Sequence, residues 1–227
     1  MRDRAQDAMQ MEKKKRDFLE AGFRLFSEKG IEAVTLPMVA EACGYGTATL
    51  YRYFDKKPGF VVAVAAWTWG GMIEERRKLR DSMDFAEMTA LEAYENFLNS
   101  FIDTYRNRRD LLRFNQFFNI YAFSEKIPES DMSPYQEIVD FLRELFFSIY
   151  EKAERDHTLR TDFSAEQMFS VSIHLMLAAV TRFAVGLIYY PKEGFDPIGE
   201  LEIQKEMLVE KFKSTGGGRR FPMKTEA

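Results

Sequence analysis

The chain has 227 residues, 46% hydrophobic and 30% charged, with 13 Gly and 7 Pro, which excludes a collagen-like, low-complexity or mostly disordered protein. One cysteine, Cys43, and two histidines, His157 and His174, exclude a disulfide framework and leave little for a metal site. The formal net charge of −4, taken whole, argues against a nucleic-acid partner.

The first residues, Met1-Arg-Asp-Arg-Ala-Gln-Asp, are charged and lack the apolar run of a signal peptide. Lys13, Lys14, Lys15 and Arg16 head the first helix, either as a solvated face or against phosphate. Phe18, Ala21, Gly22, Leu25 and Phe26 recur at helical spacing, and Gly30 after Lys29 reads as a left-handed helix end. Thr35 is suited to cap a helix over residues 36–43. Pro37 has no N–H, so the Thr35 hydroxyl is expected to accept from Met38 instead. Gly44, Tyr45 and Gly46 form a turn, and residues 47–54 form a second short helix. Two short helices about a Gly-containing turn make a helix-turn-helix, whose second helix enters the DNA major groove.

Trp67 and Trp69 lie on the next helix, which Gly70 and Gly71 interrupt. The glycine pair reads as a flexible point or, preferably, as close helix packing. Apolar stripes follow: Leu91, Tyr94, Leu98, Phe101, Ile102 and Tyr105; then Leu111, Phe114, Phe117, Phe118 and Tyr121; then Ile138, Phe141, Leu142, Leu145, Phe146 and Ile149. Helix starts are expected at Asp84 with Glu87, at Ser133 with Pro134 and Gln136, at Ser164 with Gln167, and at Asp196 with Pro197. Breaks are expected at 124–131, 156–162 and 191–195, giving about nine helices in an all-α chain. Residues 171–190 are long enough to cross a bilayer, but His174, Arg182 and several small residues favour a core or interface helix. The chain therefore reads as cytoplasmic, without a membrane partner. Residues 214–227 read as a disordered tail. No catalytic, cofactor or metal-binding constellation stands out, and Cys43 reads as a packing residue.

The run Thr35-Leu-Pro-Met-Val-Ala-Glu-Ala-Cys-Gly-Tyr-Gly-Thr-Ala-Thr-Leu-Tyr-Arg-Tyr-Phe-Asp-Lys-Lys resembles the DNA-binding segment of TetR/AcrR-family transcriptional regulators. Ala21-Gly-Phe-Arg-Leu-Phe-Ser-Glu-Lys-Gly resembles that family's first helix. The family pattern usually has Ser where this chain has Gly46 and Gly where it has Ala48, so Thr47 is a candidate replacement cap. The resemblance implies that Lys57 and Tyr51 bind phosphate and that Thr35 presents its cap end to the backbone. It implies that Tyr45, Gly46, Thr47, Ala48, Arg52 and Tyr53 lie at the groove. Arg52 suits a guanine, and Thr47 or Ala48 a thymine methyl. Leu50 and Phe54 read as core, and Tyr53 as partly so.

The resemblance also implies the division of labour: a helix-turn-helix DNA-binding domain over residues 1–57 and a larger helical ligand-binding and dimerisation domain over 58–213. The ligand is expected to be hydrophobic, aromatic or amphipathic, touching Phe101, Phe114, Phe118, Tyr121, His174 and Phe183. Asn115, Gln116, Asn119 and Arg182 are candidate polar partners. A homodimer through the last two helices is expected, with Ala178, Ala179, Phe183, Gly186, Ile198, Leu201, Met207 and Leu208 at the interface. Its two recognition helices must sit about 34–36 Å apart on a palindromic operator. The implied function is ligand-released repression. The alternative is a helical carrier or enzyme whose first domain no longer binds DNA, with Gly46 its only support.

The charge divides unevenly. Residues 1–60 hold 11 Lys and Arg against 9 Asp and Glu, whereas residues 61–213 hold 18 against 26, and residues 214–227 hold 3 against 1. The positive excess sits on the proposed DNA end, which removes the objection raised by the total.

Overall fold

The computed structural model describes residues 4–82, 85, 87–186, 194 and 196–215. Among these, the chain forms nine α-helices: α1 (Arg4–Lys29), α2 (Leu36–Ala42), α3 (Thr47–Tyr51), α4 (Lys57–Ser82), α5 (Ala90–Asn107), α6 (Arg109–Ser124), α7 (Ser133–Asp156), α8 (Ala165–Val185) and α9 (Pro197–Phe212). A 3-10 turn, Glu129–Met132, leads into α7. The described residues hold no strand, only an isolated bridge between Leu159 and Lys213.

Local chemistry sets several ends as the residues predict. Gly30 takes φ +81° beyond α1. The Thr35 hydroxyl accepts from Met38 N at 3.4 Å. Ser164 and Gln167 form a reciprocal capping box, and Asp196 accepts from Ile198 N at 3.0 Å. Two expected starts and one expected end differ. Helix α5 begins at Ala90, capped by a Thr89–Glu92 box rather than Asp84 and Glu87; Asp84 lies outside the described residues. Ser133 caps nothing, because the 3-10 turn already supplies a helical Met132 before it. Helix α3 stops at Tyr51, three residues early, and the backbone N–H of Arg52 closes onto Thr49 and Leu50.

Two apolar cores organise the molecule. The first joins α1, α2, α3 and α4 to α6 and the start of α7, through residues such as Phe18, Phe26, Leu50, Phe60, Phe114 and Phe118. The second joins α5, α7, α8 and α9 around Tyr94, Phe146, Phe169, Met176 and Leu201. Helix α8 is long and apolar enough to span a bilayer, yet it packs against α5, α6, α7 and α9. Gly70 and Gly71 do not mark close packing: a Cβ at either would meet nothing within 4 Å. Gly22 does, since its Cβ would lie 2.5 Å from Phe60 Cζ, where α1 crosses α4. The expected break at 191–195 lies largely outside the described residues, as does most of the tail. Ser214, assigned to that tail, is held instead by a hydrogen bond from its N–H to Thr158 O at 2.9 Å.

Asp156 ties the bend after α7 to the start of α5. Its carboxylate accepts from Ala90 N at 2.6 Å and from the N–H and hydroxyl of Thr158, both at 2.9 Å. Burial pushes this carboxyl up, but the hydrogen bonds from Thr158 and Ala90, with Lys152 nearby, outweigh that and hold it below its ordinary value. A lowered folded pKa stabilises above the unfolded value and loses that stabilisation as pH falls through the folded one. Asp156 is exposed, so after solvent screening Asp156→Ala is expected to cost about 1 kcal/mol at neutral pH. Urea melts should show that difference shrinking once the pH is taken below the ordinary carboxyl value.

Candidate nucleic-acid interface and ligand cavity

Helices α1, α2 and α3 share one small core. Leu50 is fully buried and anchors α3, Phe54 closes against Phe60 with ring centroids 4.9 Å apart, and Tyr53 packs half-buried against Phe18 at 5.8 Å. With Leu50 turned in, α3 shows Ala48 and Tyr51 to solvent, followed by its C-cap Arg52, and Gly46 and Thr35 are exposed at the starts of α3 and α2. The Arg52 guanidinium donates to Thr49 Oγ1 at 3.3 Å, which holds it along the helix with donors to spare. Thr47 does not act as a cap. Gly46 occupies that position, and α3 has no side-chain cap.

Tyr45 and Lys57 are engaged within the protein. The Tyr45 hydroxyl donates to Asp17 Oδ2 at 2.8 Å, its ring meets Phe18 edge-on, and Lys14 Nζ lies 5.8 Å from its centroid. Hydrogen bonding to Asp17 pushes the phenol above its ordinary value. Tyr45 thus fastens the turn to α1, next to the Lys13–Arg16 cluster. Cys43 sits beside it, with Sγ 3.3 Å from Asp17 O, and burial pushes its thiol up. Lys57 begins α4 and donates to Glu32 O at 3.4 Å, with its ammonium 5.5 Å from the Tyr121 centroid. It therefore touches both the helix-turn-helix and α6.

A cavity of about 320 Å³ lies where the two cores meet. Trp69 of α4, Phe101 of α5, Tyr135, Ile138, Leu142 and Arg143 of α7, and Phe169, Ile173, His174 and Leu177 of α8 line it. Trp69 and Ile138 belong to the first core and Phe169 to the second, while Leu177 packs against both. Of the six ligand contacts expected from the sequence, the cavity brings together Phe101 and His174. Phe114, Phe118 and Tyr121 are core residues under the helix-turn-helix, and Phe183 packs against Tyr105 with centroids 6.2 Å apart. Asn115 is buried and accepts from Tyr135 at 3.4 Å; burial pushes that phenol up to about 12. His174 stands exposed at the rim, its Nδ1 3.3 Å from Ser170 Oγ.

Trp69 and Arg143 are among the lining residues that periodicity did not single out as ligand contacts. Trp69 Nε1 and Arg143 Nε are buried without a hydrogen-bond partner. An unmet buried donor costs about 1–3 kcal/mol, and both nitrogens are closed to a water-sized group.

Helix α8 carries an exposed stripe of Val171, Leu175, Ala178, Arg182 and Val185, and α9 exposes Ile203 and Met207. Leu201 and Leu208, expected at an interface, are turned into the second core instead, and Ala179, Phe183 and Ile198 pack half-buried against it. Helix α9 is apolar on two sides, and its inner side meets α5 and α8.

An exposed short helix fixed by a buried leucine, behind a turn pinned to a basic first helix, is a helix-turn-helix DNA-binding head; the rest is a helical body. Residues 18–64 match the family model described as bacterial regulatory proteins, tetR family. The HTH-type transcriptional regulator SAB2452 of Staphylococcus aureus (strain bovine RF122 / ET3-1) is 24% identical over 173 residues, 74% of this chain and 88% of that one. YerO, an uncharacterized HTH-type transcriptional regulator of Bacillus subtilis (strain 168), is 22% identical over 102 residues, which span 45% of this chain but only 35% of that relative. A transcriptional regulator from Saccharomonospora viridis solved with choline shares the fold, at TM-score 0.71 and 14% identity over 89% of this chain and 99% of that one. Over residues 18–64 the chain thus matches the tetR family of bacterial regulatory proteins, and along most of its length it is similar to an HTH-type transcriptional regulator.

Proposed function

We propose that the protein is a homodimeric repressor that binds a palindromic operator and is released by a small molecule in the cavity between the two cores. Residues 1–57 serve as the DNA-binding domain and 58–213 as the sensing and dimerising domain, in the cytoplasm and without catalysis. The observation that carries the reading is the exposed α3 face on a head whose core runs directly into the cavity wall. Arg52, Ala48 and Thr47 read bases, while Gly46 lets the backbone of the turn approach. Tyr51, Lys57 and Thr35 position the domain on phosphate, and Tyr45 and Tyr53 hold the turn and α3 in place. Arg52→Ala is expected to cost about 1–3 kcal/mol at one operator position and to relax the base preference there. Titrating wild type and variant against operators substituted at each position tests this; uniform weakening at all positions would make Arg52 a phosphate contact instead.

Ligand entry is transmitted through α4, which carries Trp69 at the cavity and Lys57 and Phe60 at the head. The helix flexes at Gly70 and Gly71, where an added Cβ would meet nothing within 4 Å. Replacing both with alanine is expected to raise stability by up to about 1 kcal/mol per site. It should also raise the ligand concentration needed to release DNA. Unchanged release by the stabilised variant would remove the bend from the mechanism.

A further inference from the structure

We infer that the first half of α1 is a second DNA contact, with Lys13, Lys14 and Lys15 binding phosphates of the duplex beside the groove that α3 enters. This rests on reading α3 as the helix that meets DNA. Helix α1 joins the first core only from Phe18 onward, and Gln6 and residues 8–13 are exposed. At about 1.5 Å per residue, the turns ahead of Phe18 extend roughly 20 Å from it. A segment exposed on nearly every side gains little from burial, and so short a helix is marginal in water on its own. What it carries is charge: four consecutive cations, Lys13, Lys14, Lys15 and Arg16. Among the described residues no carboxylate lies within ion-pair distance of any of the four, whereas Arg106, Arg143, Arg160 and Lys205 of the body each pair with one. Asp17, one turn on from Lys14, accepts from the Tyr45 hydroxyl instead. Lys14 sets the position of the cluster. Its ammonium lies 5.8 Å from the Tyr45 ring centroid, and Tyr45 directly precedes Gly46, the cap of α3. The Asp17 hydrogen bond and the edge-on contact with Phe18 fix that turn to α1. Lys14 thus sits beside the leading end of the recognition helix, where a helix in the major groove has the sugar-phosphate backbone as its neighbour. Consecutive helical residues lie about 100° apart, so Lys13 and Lys15 flank Lys14, while Arg16 is turned about 160° from it. Long stems let the two flanking ammonium groups reach round to the strand. Arg16 lines a groove with Leu19 and Trp67 of α4. It carries the same charge as Lys14 in a different direction, which separates contact from charge alone.

The test titrates the full chain against random-sequence duplexes over a range of salt concentrations, with thermal melting to confirm that each variant is folded. Each phosphate neutralised adds about 0.9 to the steepness of log affinity against log salt. Lys14→Gln is expected to reduce that steepness by about 0.9 per bound head and to weaken binding about tenfold near 0.1 M salt. Lys14→Arg should keep the wild-type slope. Arg16→Gln removes the same charge and should leave the slope unchanged. Replacing Lys13, Lys14 and Lys15 together with glutamine should reduce it by up to about 2.7 per head. Equal slope changes in Lys14→Gln and Arg16→Gln would reduce the cluster to general positive charge and overturn the assignment. Weaker binding by Lys14→Gln at an unchanged slope would make Lys14 a support for the Tyr45 turn, and would overturn it as well. A triple variant that keeps the wild-type slope would remove the phosphate contact while leaving α3 as the reader. Failure of the folded wild-type chain to bind any duplex would overturn both.

Discussion

Phe114→Ala is expected to lower the unfolding free energy by about 3–5 kcal/mol, whereas Phe101→Ala should cost distinctly less. Phe114 is 0% exposed. Its ring lies 5.6 Å from Phe23, 6.3 Å from Phe26 and 6.0 Å from Phe118, centroid to centroid. Truncation removes the buried ring and leaves a void bounded by rings on α1 and α6, helices that pack directly on one another. Such a void collapses only in part, so both the transfer loss and the cavity loss are felt. Phe101 is half-buried and already borders the cavity, so its truncation enlarges an existing space. Urea unfolding of the two variants under identical conditions separates them. Because Phe114 ties the helix-turn-helix to α6, its loss should also free the head and weaken DNA binding. A small cost at Phe114 with a large loss of ligand binding would mean that it lines a ligand site after all.

Leu175→Glu combined with Met207→Glu is expected to give a folded monomer whose operator affinity is lower by about 10²–10⁴-fold. Leu175 is 53% exposed and Met207 67% exposed, so the substitutions leave the inner core untouched. Apolar side chains left in water at helical spacing on two adjacent helices favour a self-complementary partner, and opposed carboxylates repel it. A monomer engages one half-site at a time and loses the effective concentration that the tethered second head supplies. Light scattering gives the mass, and operator titration gives the affinity. A double variant that stays dimeric would move the interface elsewhere; a monomer with unchanged affinity would show that one head suffices.

What could be read from the residues is what local chemistry decides. Thr35, Ser164 and Asp196 cap helices because each needs only a hydroxyl or carboxylate and the next few N–H groups. Leu50 and Phe54 were legible as core for the same reason, since a short helix with one apolar edge has one way to bury it. Long-range packing is where the reading failed. The spacing of Phe114, Phe118 and Tyr121 shows that they share a face of α6, but not that α1 and α4 cover it. The Asp84–Glu87 and Thr89–Glu92 patterns are locally equivalent. Asp156 and Thr158, far along the chain, accept from Ala90 N and Leu91 N and so favour the second. The cavity draws on four helices, so it emerges only when α4, α5, α7 and α8 are brought together. Charge was legible once divided: the total conceals a basic head on an acidic body.

The central claim, a dimeric reader of palindromic DNA, is tested most directly by selecting binding sites from a pool of random duplexes with the full-length protein. The account predicts an inverted repeat with half-site centres about one helical turn apart, 34–36 Å, or a multiple of it. It also predicts affinity that falls steeply with added salt. Recovery of no enriched sequence, or of a single unrepeated half-site bound by a monomer, would contradict it.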